Sequence, residues 1–277
     1  MNKVAVIGIV GNSVFLPVEK FHTGGETVEA SDIHFEPGGK GFNQAVAAAR
    51  YGAEVSFLAA VGADGYDSIK AFLDNEGIHS TLVQKSTATA FAAIITDKTG
   101  SNRVTVYQGA QLDNDDVSLF EAHIQNADIL LLTNETDEAI NVRAIEIAKK
   151  NSVKVILNPA PSRKCCDFIL ENVDLFTPNE HETTGLDGKN LITTLGARGC
   201  HIGESDTYIS AVNVGQVVDT TGAGDTFNGV LATELSRGTP IEAAVRAANL
   251  ASSIGVTRKY AVSSIPTKEI IEHYQKQ

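Results

Sequence analysis

The residues best suited to chemistry stand in one short run, Asp219-Thr220-Thr221-Gly222-Ala223-Gly224-Asp225-Thr226-Phe227. It follows the apolar pair Val217-Val218 and opens a stretch with the period of a long helix. Small residues let the backbone approach a ligand closely, and the first amides of a helix have no partner within it. With the helix dipole, the N–H groups of Gly222, Ala223 and Gly224 make an anion site suited to a phosphoryl group in transfer. Asp225 adds a carboxylate at the same place. Hydroxyl activation needs a carboxylate beside an anion hole, because the proton must leave as the oxygen bonds to phosphorus. Asp also caps helices commonly, so the run taken alone leaves a purely structural role open.

A second glycine cluster, Pro37-Gly38-Gly39-Lys40-Gly41-Phe42-Asn43-Gln44, also precedes a helical stretch. It lacks the Gly-x-x-x-x-Gly-Lys-Ser/Thr spacing of a phosphate-binding P-loop. The first turn, Gly8-Ile9-Val10-Gly11-Asn12, lacks the Gly-x-Gly-x-x-Gly dinucleotide fingerprint, which removes the main support for a nicotinamide-dependent oxidoreductase. Lys40 and Asn43 are suited to hydrogen-bond a polyol; a plain helix-start loop is the alternative. A third segment, Thr177-Pro178-Asn179-Glu180-His181-Glu182, follows a strand, and Asn179 and Glu182 offer hard oxygens able to organise Mg²⁺ through water. Thr194-Leu195-Gly196-Ala197-Arg198-Gly199 follows another strand, where ligands of open α/β sheets tend to bind.

Alternating elements must hold these segments in place. Strands are expected at Val4–Ile9, Val55–Ala60, Ile129–Thr133, Val153–Asn158, Leu175–Thr177 and Leu191–Leu195. Helices are expected at Asn43–Tyr51, Asp67–Asn75, Glu138–Lys150, Gly224–Arg237 and Ile241–Thr257. This rhythm predicts an α/β fold, a mostly parallel sheet covered by helices on both faces. Two stretches depart from it. Val14 to Phe35 has no helical period, and Phe91–Thr96 and Arg103–Tyr107 read as strands joined by the turn-like Asp97-Lys98-Thr99-Gly100-Ser101-Asn102. A small antiparallel flap accounts for both, and flaps beside active sites often act as lids; mere surface hairpins are the other reading.

The bulk numbers set outer bounds. With 277 residues the chain can bury a substantial core, and no low-complexity linker divides it. A net charge of −12 disfavours a nucleic-acid binder, since neutralising phosphates needs clustered Lys and Arg. Apolar stretches such as Ile129–Leu132 are far too short for a bilayer, so no membrane role is expected. Met1-Asn2-Lys3 runs straight into Val4-Ala5-Val6-Ile7-Gly8, which reads as a buried strand and not a secretory leader. Cys165, Cys166 and Cys200 form neither a disulfide framework nor a zinc spacing, which fits a reduced cytoplasmic setting.

In this order and spacing the four segments resemble the ribokinase family of sugar kinases, also called the PfkB family: Gly38-Gly39-Lys40-Gly41 with Asn43, Asn179 to Glu182, Thr194 to Gly199, and Gly222-Ala223-Gly224-Asp225. Val256-Thr257-Arg258-Lys259 is similar to the ribokinase branch, and the likeness covers essentially the whole chain. The resemblance implies one kinase domain over 1–277, a Rossmann-like three-layer α/β/α body with a small β-strand lid built from about 14–36 and 90–108. ATP and sugar would bind in the cleft between body and lid. Asp225 would be the catalytic base, the amides of Gly222, Ala223 and Gly224 the anion hole, and Gly38, Gly39, Lys40, Asn43 and Glu135 the sugar contacts. Asn179, Thr194, Gly196, Gly199 and Asn249 would lie along the nucleotide, with Asn179 and Glu182 organising Mg²⁺. A potassium site would draw on Asp219, Thr221, Gly255, Tyr260 and Ser264, several through backbone carbonyls. Family analogy adds a homodimer through the lid.

One departure concerns the substrate. Ribokinases carry an acidic residue just after the first strand, preceded by an Asn, and those positions are Ser13 and Gly11 here, with Asn12 the contact if the register shifts by one. A carboxylate accepts two hydroxyl protons at once, which a serine cannot match. The resemblance therefore implies transfer of the γ-phosphoryl group of ATP to the hydroxyl of a ribose-like sugar. A nucleoside or modified nucleoside is the alternative acceptor, and a non-catalytic sugar or nucleotide sensor the alternative role.

Overall fold

Side-chain alternation along the first strand, β1 (Lys3–Ile7), decides the layering. Val4 and Val6 enter one apolar core while Ala5 and Ile7 enter another, so both faces of the strand are buried, as in a parallel sheet covered on each side. The computed structural model describes residues 2–99, 101–186 and 190–276. Gly100, within the expected flap turn, lies outside them.

Along the chain β1 is followed by β2 (Gly11–Pro17), β3 (His34–Gly38), helix α1 (Lys40–Arg50), β4 (Glu54–Gly62), α2 (Tyr66–Asn75) and β5 (His79–Lys85). Next come β6 (Ala90–Thr96), β7 (Asn102–Tyr107), α3 (Asn114–Ser118), α4 (Glu121–Gln125), β8 (Ile129–Thr133), α5 (Glu138–Lys150) and β9 (Lys154–Asn158). After these lie α6 (Asp167–Asn172), β10 (Leu175–Phe176), β11 (Ile192–Thr194), β12 (Cys200–Ile202) and β13 (Thr207–Ile209). The chain closes with α7 (Ala223–Ser236), α8 (Ile241–Gly255) and α9 (Lys268–Gln275).

The main sheet has six parallel strands in the order β10-β9-β8-β1-β4-β5. Helices α1 and α2 pack with the Val4 and Val6 face, and α5 with the Ala5 and Ile7 face. A third apolar cluster joins α7, α8 and α9 to β12 and β13. The short antiparallel sheet β11-β12-β13 continues the main one through bridges Phe176–Leu191 and Asn179–Thr194. No described helix is long and apolar enough to cross a membrane.

The flap is a separate sheet in the order β3-β2-β6-β7, with β2 parallel to β6 and the outer pairings antiparallel. Its strands start earlier than the expected segment, at Gly11, and β3 runs on to Gly38. Glycine makes this possible: a Cβ at Gly11 would crowd the Ala90 carbonyl carbon at 2.7 Å, so β2 leaves the body where only a bare backbone fits.

Other differences are local. Helix α1 begins at Lys40, not Asn43, so Lys40 and Gly41 lie in its first turn instead of in a loop before it, while Gly38 ends β3. Gly39, at φ 124°, supplies the entry, and Gly41 lets α1 press on the end of β1, where its Cβ would stand 2.6 Å from the Gly8 Cα. Strand β1 stops at Ile7 and α8 at Gly255, each sooner than expected. Strand β5 was missed because His79-Ser80-Thr81 dilutes its apolar alternation, and α3 and α4 because five residues are too few to show a period.

Candidate active site

The glycine-rich run before α7 places its carboxylate by a backbone switch. Gly222 adopts φ 76°, a left-handed conformation, and turns the chain from the Asp219 loop into the helix. Thr226 N–H then bonds the Gly222 carbonyl at 2.9 Å, closing the first turn. The amides of Gly222 and Gly224 donate to no acceptor among the described residues. The Ala223 amide differs from expectation, donating to Thr220 O at 3.2 Å, so the cradle rests mainly on its two glycines.

Asp225 is 6% exposed and held from both sides by adjacent residues of α1. Asn43 Nδ2 donates to its Oδ2 at 2.9 Å and Gln44 Nε2 to its Oδ1 at 3.1 Å. Gln44 also donates to Asn158 Oδ1 at the end of β9, and Asn158 Nδ2 donates to Thr177 O at 2.8 Å. A chain of amides thus fixes the carboxylate against the sheet, and a carboxylate fixed in this way is preorganised. Among the described residues, Asn43 Oδ1, Gln44 Oε1 and Thr226 Oγ1 are buried without hydrogen-bond partners, and of the three residues only Asn43 lines the cavity described below.

Lys40 and Glu135 complete the ionic centre. Lys40 opens α1 and Glu135 follows β8, where its Oε2 accepts the Gly41 amide at 3.2 Å. Burial pushes the Glu135 carboxyl up to about 7, with the Asp225 charge adding to the rise and the Gly41 amide and Lys40 opposing it. The Lys40 ammonium is pushed up by the Asp225 carboxylate first, with Glu135 and Glu182 adding to it against the cost of burial.

A cavity of about 510 Å³ lies between body and flap. Lined by Gly11, Ser13, Gly38, Gly39, Lys40 and Asn43, it reaches Glu135, Thr221, Gly222 and Asp225 on the far side. With Asn12, also on its wall, eleven residues singled out from sequence thus share one space. On the flap side the wall is largely apolar, through Phe15, Ala92, Ile94, Val104 and Val106.

The remaining residues form two flanking groups. Thr194 bridges Asn179, and its amide donates to Pro178 O at 2.9 Å. Asn179 Oδ1 accepts the His181 amide and Glu182 Oε2 the Asn179 amide, which fixes that turn. Gly196 (φ 56°) and Gly199 (φ 94°) bound a 3-10 turn, and a Cβ at Gly196 would meet nothing within 4 Å, leaving its face open. Asn249 of α8 reaches the carbonyl of Ser210 at 2.7 Å and anchors the segment leading to the cradle. In the second group, Asp219 Oδ1 accepts the Thr221 amide and hydroxyl, and its Oδ2 the Tyr260 amide. Ser264 and Thr226 Oγ1 lie against Gly255, whose Cβ would stand 3.8 Å from that hydroxyl.

Gln44, Asn158 and Glu36 were missed as site residues. The only sequence signal was the position of Gln44 beside Asn43; the other two are brought in by tertiary contacts.

With this geometry in hand, comparison with known proteins is direct. The family model described as pfkB family carbohydrate kinase matches residues 1–191 and 183–268. The ribokinase of Haemophilus influenzae is 36% identical over 304 aligned residues, covering 98% of each chain. A crystal structure of ribokinase from Thermotoga maritima matches with TM-score 0.89 and 32% identity over 100% of both chains. A structure of Arabidopsis thaliana ribokinase complexed with ribose and ATP matches with TM-score 0.87 and 26% identity over 100% of this chain and 99% of that one.

Proposed function

Because this chain belongs to the pfkB family of carbohydrate kinases, and is thus a phosphotransferase with an alcohol acceptor, we propose that it moves the γ-phosphoryl group of ATP to the primary hydroxyl of a ribose-like sugar. The observation that carries this reading is the Asp225 carboxylate, clamped by Asn43 and Gln44 at the head of α7 inside a cavity of sugar-binding size. The sugar lies along Gly39, Lys40, Asn43 and Glu135, with its reacting hydroxyl toward Asp225. Asp225 takes the proton as oxygen bonds to phosphorus, and the bond from γ-phosphorus to the bridging oxygen of ADP breaks in line. The Gly222 and Gly224 amides and the α7 dipole stabilise the charge on the group in flight. The positive charge of Lys40, which Asp225 and Glu135 sustain, offsets part of the negative charge when the polyanionic nucleotide enters.

ATP would run over Thr194, Gly196 and Gly199 toward the cradle, with Asn249 holding the segment beneath it. Mg²⁺ fits as a water-bridged partner of Asn179 and Glu182; it would neutralise phosphate charge. Potassium would be held by the second group, through backbone carbonyls of Asp219, Thr221, Gly255, Tyr260 and Ser264, and this reading is supported by the buried Thr226 hydroxyl, which has no hydrogen-bond partner among the described residues and lies with Ser264 against Gly255. Bound there, it would stiffen the loop behind the cradle. We further propose that residues 1–277 act as one domain and that flap closure over the sugar excludes water. The exposed outer strand β7 is an edge through which two copies could pair as a homodimer.

A nucleoside acceptor is the second reading. It is favoured by Ser13, which offers one hydroxyl where an acid would bind two sugar hydroxyls, and by the apolar flap wall, which suits a base. ADP release measured over pentoses, hexoses, sugar acids and nucleosides, with and without K⁺, tests both. Turnover confined to nucleosides would replace the ribose assignment, and binding without turnover across the panel would favour a sensor.

A further inference from the structure

Glu36 stands where a sugar pocket has little use for a saturated carboxylate. It lies on β3 directly opposite Ser13 of β2, so both side chains face the cavity. The residue is 8% exposed, and both of its oxygens are already taken. Oε1 accepts the amides of Ala261 and Val262 at 2.8 and 3.1 Å. Oε2 accepts the Ser263 amide at 3.0 Å and its hydroxyl at 2.7 Å, with His34 Nε2 at 3.3 Å. A carboxylate offers about four lone-pair directions, so these partners leave none for a sugar hydroxyl. No Lys or Arg pairs with it among the described residues; its charge rests on three successive amides, as an anion rests at the start of a helical turn.

The loop it grips backs the phosphoryl cradle. A Cβ at Gly222 would stand 3.2 Å from the Ala261 Cα, so loop and cradle are in contact. From the other side Asp219 accepts the Tyr260 amide at 2.9 Å. Tyr260 sits at φ 71°, a left-handed conformation that strains a non-glycine residue. Its ring is stacked on His34 of β3 at 3.8 Å between centroids and 7° between planes, with Phe15 of β2 at 5.1 Å. Two flap strands therefore hold a strained loop through one carboxylate and two rings. Strand β3 also runs directly into Gly38, Gly39 and Lys40, the expected sugar contacts.

We propose that Glu36 is a positioning residue for phosphoryl transfer, tying the root of the flap to loop 260–263 so that the flap sets the geometry of the Gly222 cradle. The proposal rests on the assignment of that cradle and Asp225 to phosphoryl transfer.

The test uses Glu36→Gln and Glu36→Ala, read by steady-state kinetics and by backbone hydrogen exchange of the ligand-free protein. Gln keeps an acceptor for Ala261 and Val262 but turns an NH₂ group toward Ser263, so it is read if the Ala variant does not fold. Expected are a fall in kcat of about 10²-fold, the scale of a misplacement of about 1 Å, with the acceptor KM changed little. Faster exchange should appear at 219–223 as well as at 260–264. A raised acceptor KM with kcat intact would make Glu36 a sugar contact and overturn the proposal. So would faster exchange confined to 260–264 with normal kcat, the result of a merely local brace. Asp225→Asn is run alongside: if that variant turns over normally, the phosphoryl-transfer assignment itself fails, whatever Glu36 does.

Discussion

Gly229 of α7 meets Ala47 of α1 so closely that a Cβ added at Gly229 would stand 2.5 Å from the Ala47 Cβ. The same Cβ would lie 2.5 Å from the Gln44 carbonyl oxygen and 2.8 Å from the Ala48 nitrogen. This approach brings Asn43 and Gln44 within reach of Asp225 one turn earlier in α7. Gly229→Ala should force the helices apart, lowering stability by about 1–3 kcal/mol and kcat more than it raises KM. Urea unfolding together with kinetics checks both, and an unchanged unfolding midpoint would show that the helices yield without cost.

Asp225→Asn should lower kcat by about 10²–10⁴-fold, the usual contribution of a general base, while ATP affinity changes little. Nucleotide titration by calorimetry and single-turnover phosphate transfer separate the two quantities. Near-normal turnover would remove Asp225 from the mechanism.

Gln44→Ala removes one of the two amides on Asp225 and frees Asn158. We expect a fall in kcat of about 10-fold, because a base free to swing loses preorganisation. The Michaelis constants should hold within about threefold. A larger effect on KM than on kcat would mean that Gln44 touches the sugar.

Glu135 makes stability depend on pH. Its carboxyl is near 7 in the folded chain and returns to the ordinary value of 4.5 on unfolding. A raised folded value favours the protonated, folded form. Its contribution is fully present below about pH 4.5 and is lost as pH rises through 7, by on the order of 3 kcal/mol in all. The stability difference between the wild type and Glu135→Gln, measured in urea at pH 5 and pH 8, should shift against the wild type at the higher pH. A difference that is the same at both pH values would place the Glu135 carboxyl at an ordinary value.

Ser13→Asp places an acid directly opposite Glu36. Like charges across a strand pair repel, so the variant should lose up to about 1 kcal/mol. Glu36→Ala, which also removes the hold on loop 260–263, should cost less on the Ser13→Asp background than on the wild type. Thermal unfolding of the three variants closes the cycle, and strict additivity would show that the two side chains do not sense each other.

Much of this site was legible before any fold was known. Gly222 to Asp225 announces an anion cradle with a carboxylate because both belong to one helix start, within a few residues of each other. The glycine cluster at 38–41 and the strand ends before Asn179 and Thr194 are readable for the same reason. Boundaries were less legible: Lys40 was expected in a loop, yet it is helical because Gly41 lies against Gly8, a residue far away in sequence.

The alternation of apolar strands and helices in this chain, together with its four small-residue segments, was enough by itself to determine an α/β kinase architecture and to single out residues that the fold brings to one cavity. Only the tertiary structure decided how those residues are held. Asn43 and Asp225 are 182 positions apart, and Glu36 reaches Val262 across 226. Such pairs leave no periodic trace, because hydrogen bonds between distant segments depend on which strands and helices become neighbours. That choice is made by the packing of whole faces, and a glutamate in an edge strand reads the same whether it ends in water or beneath a phosphoryl cradle.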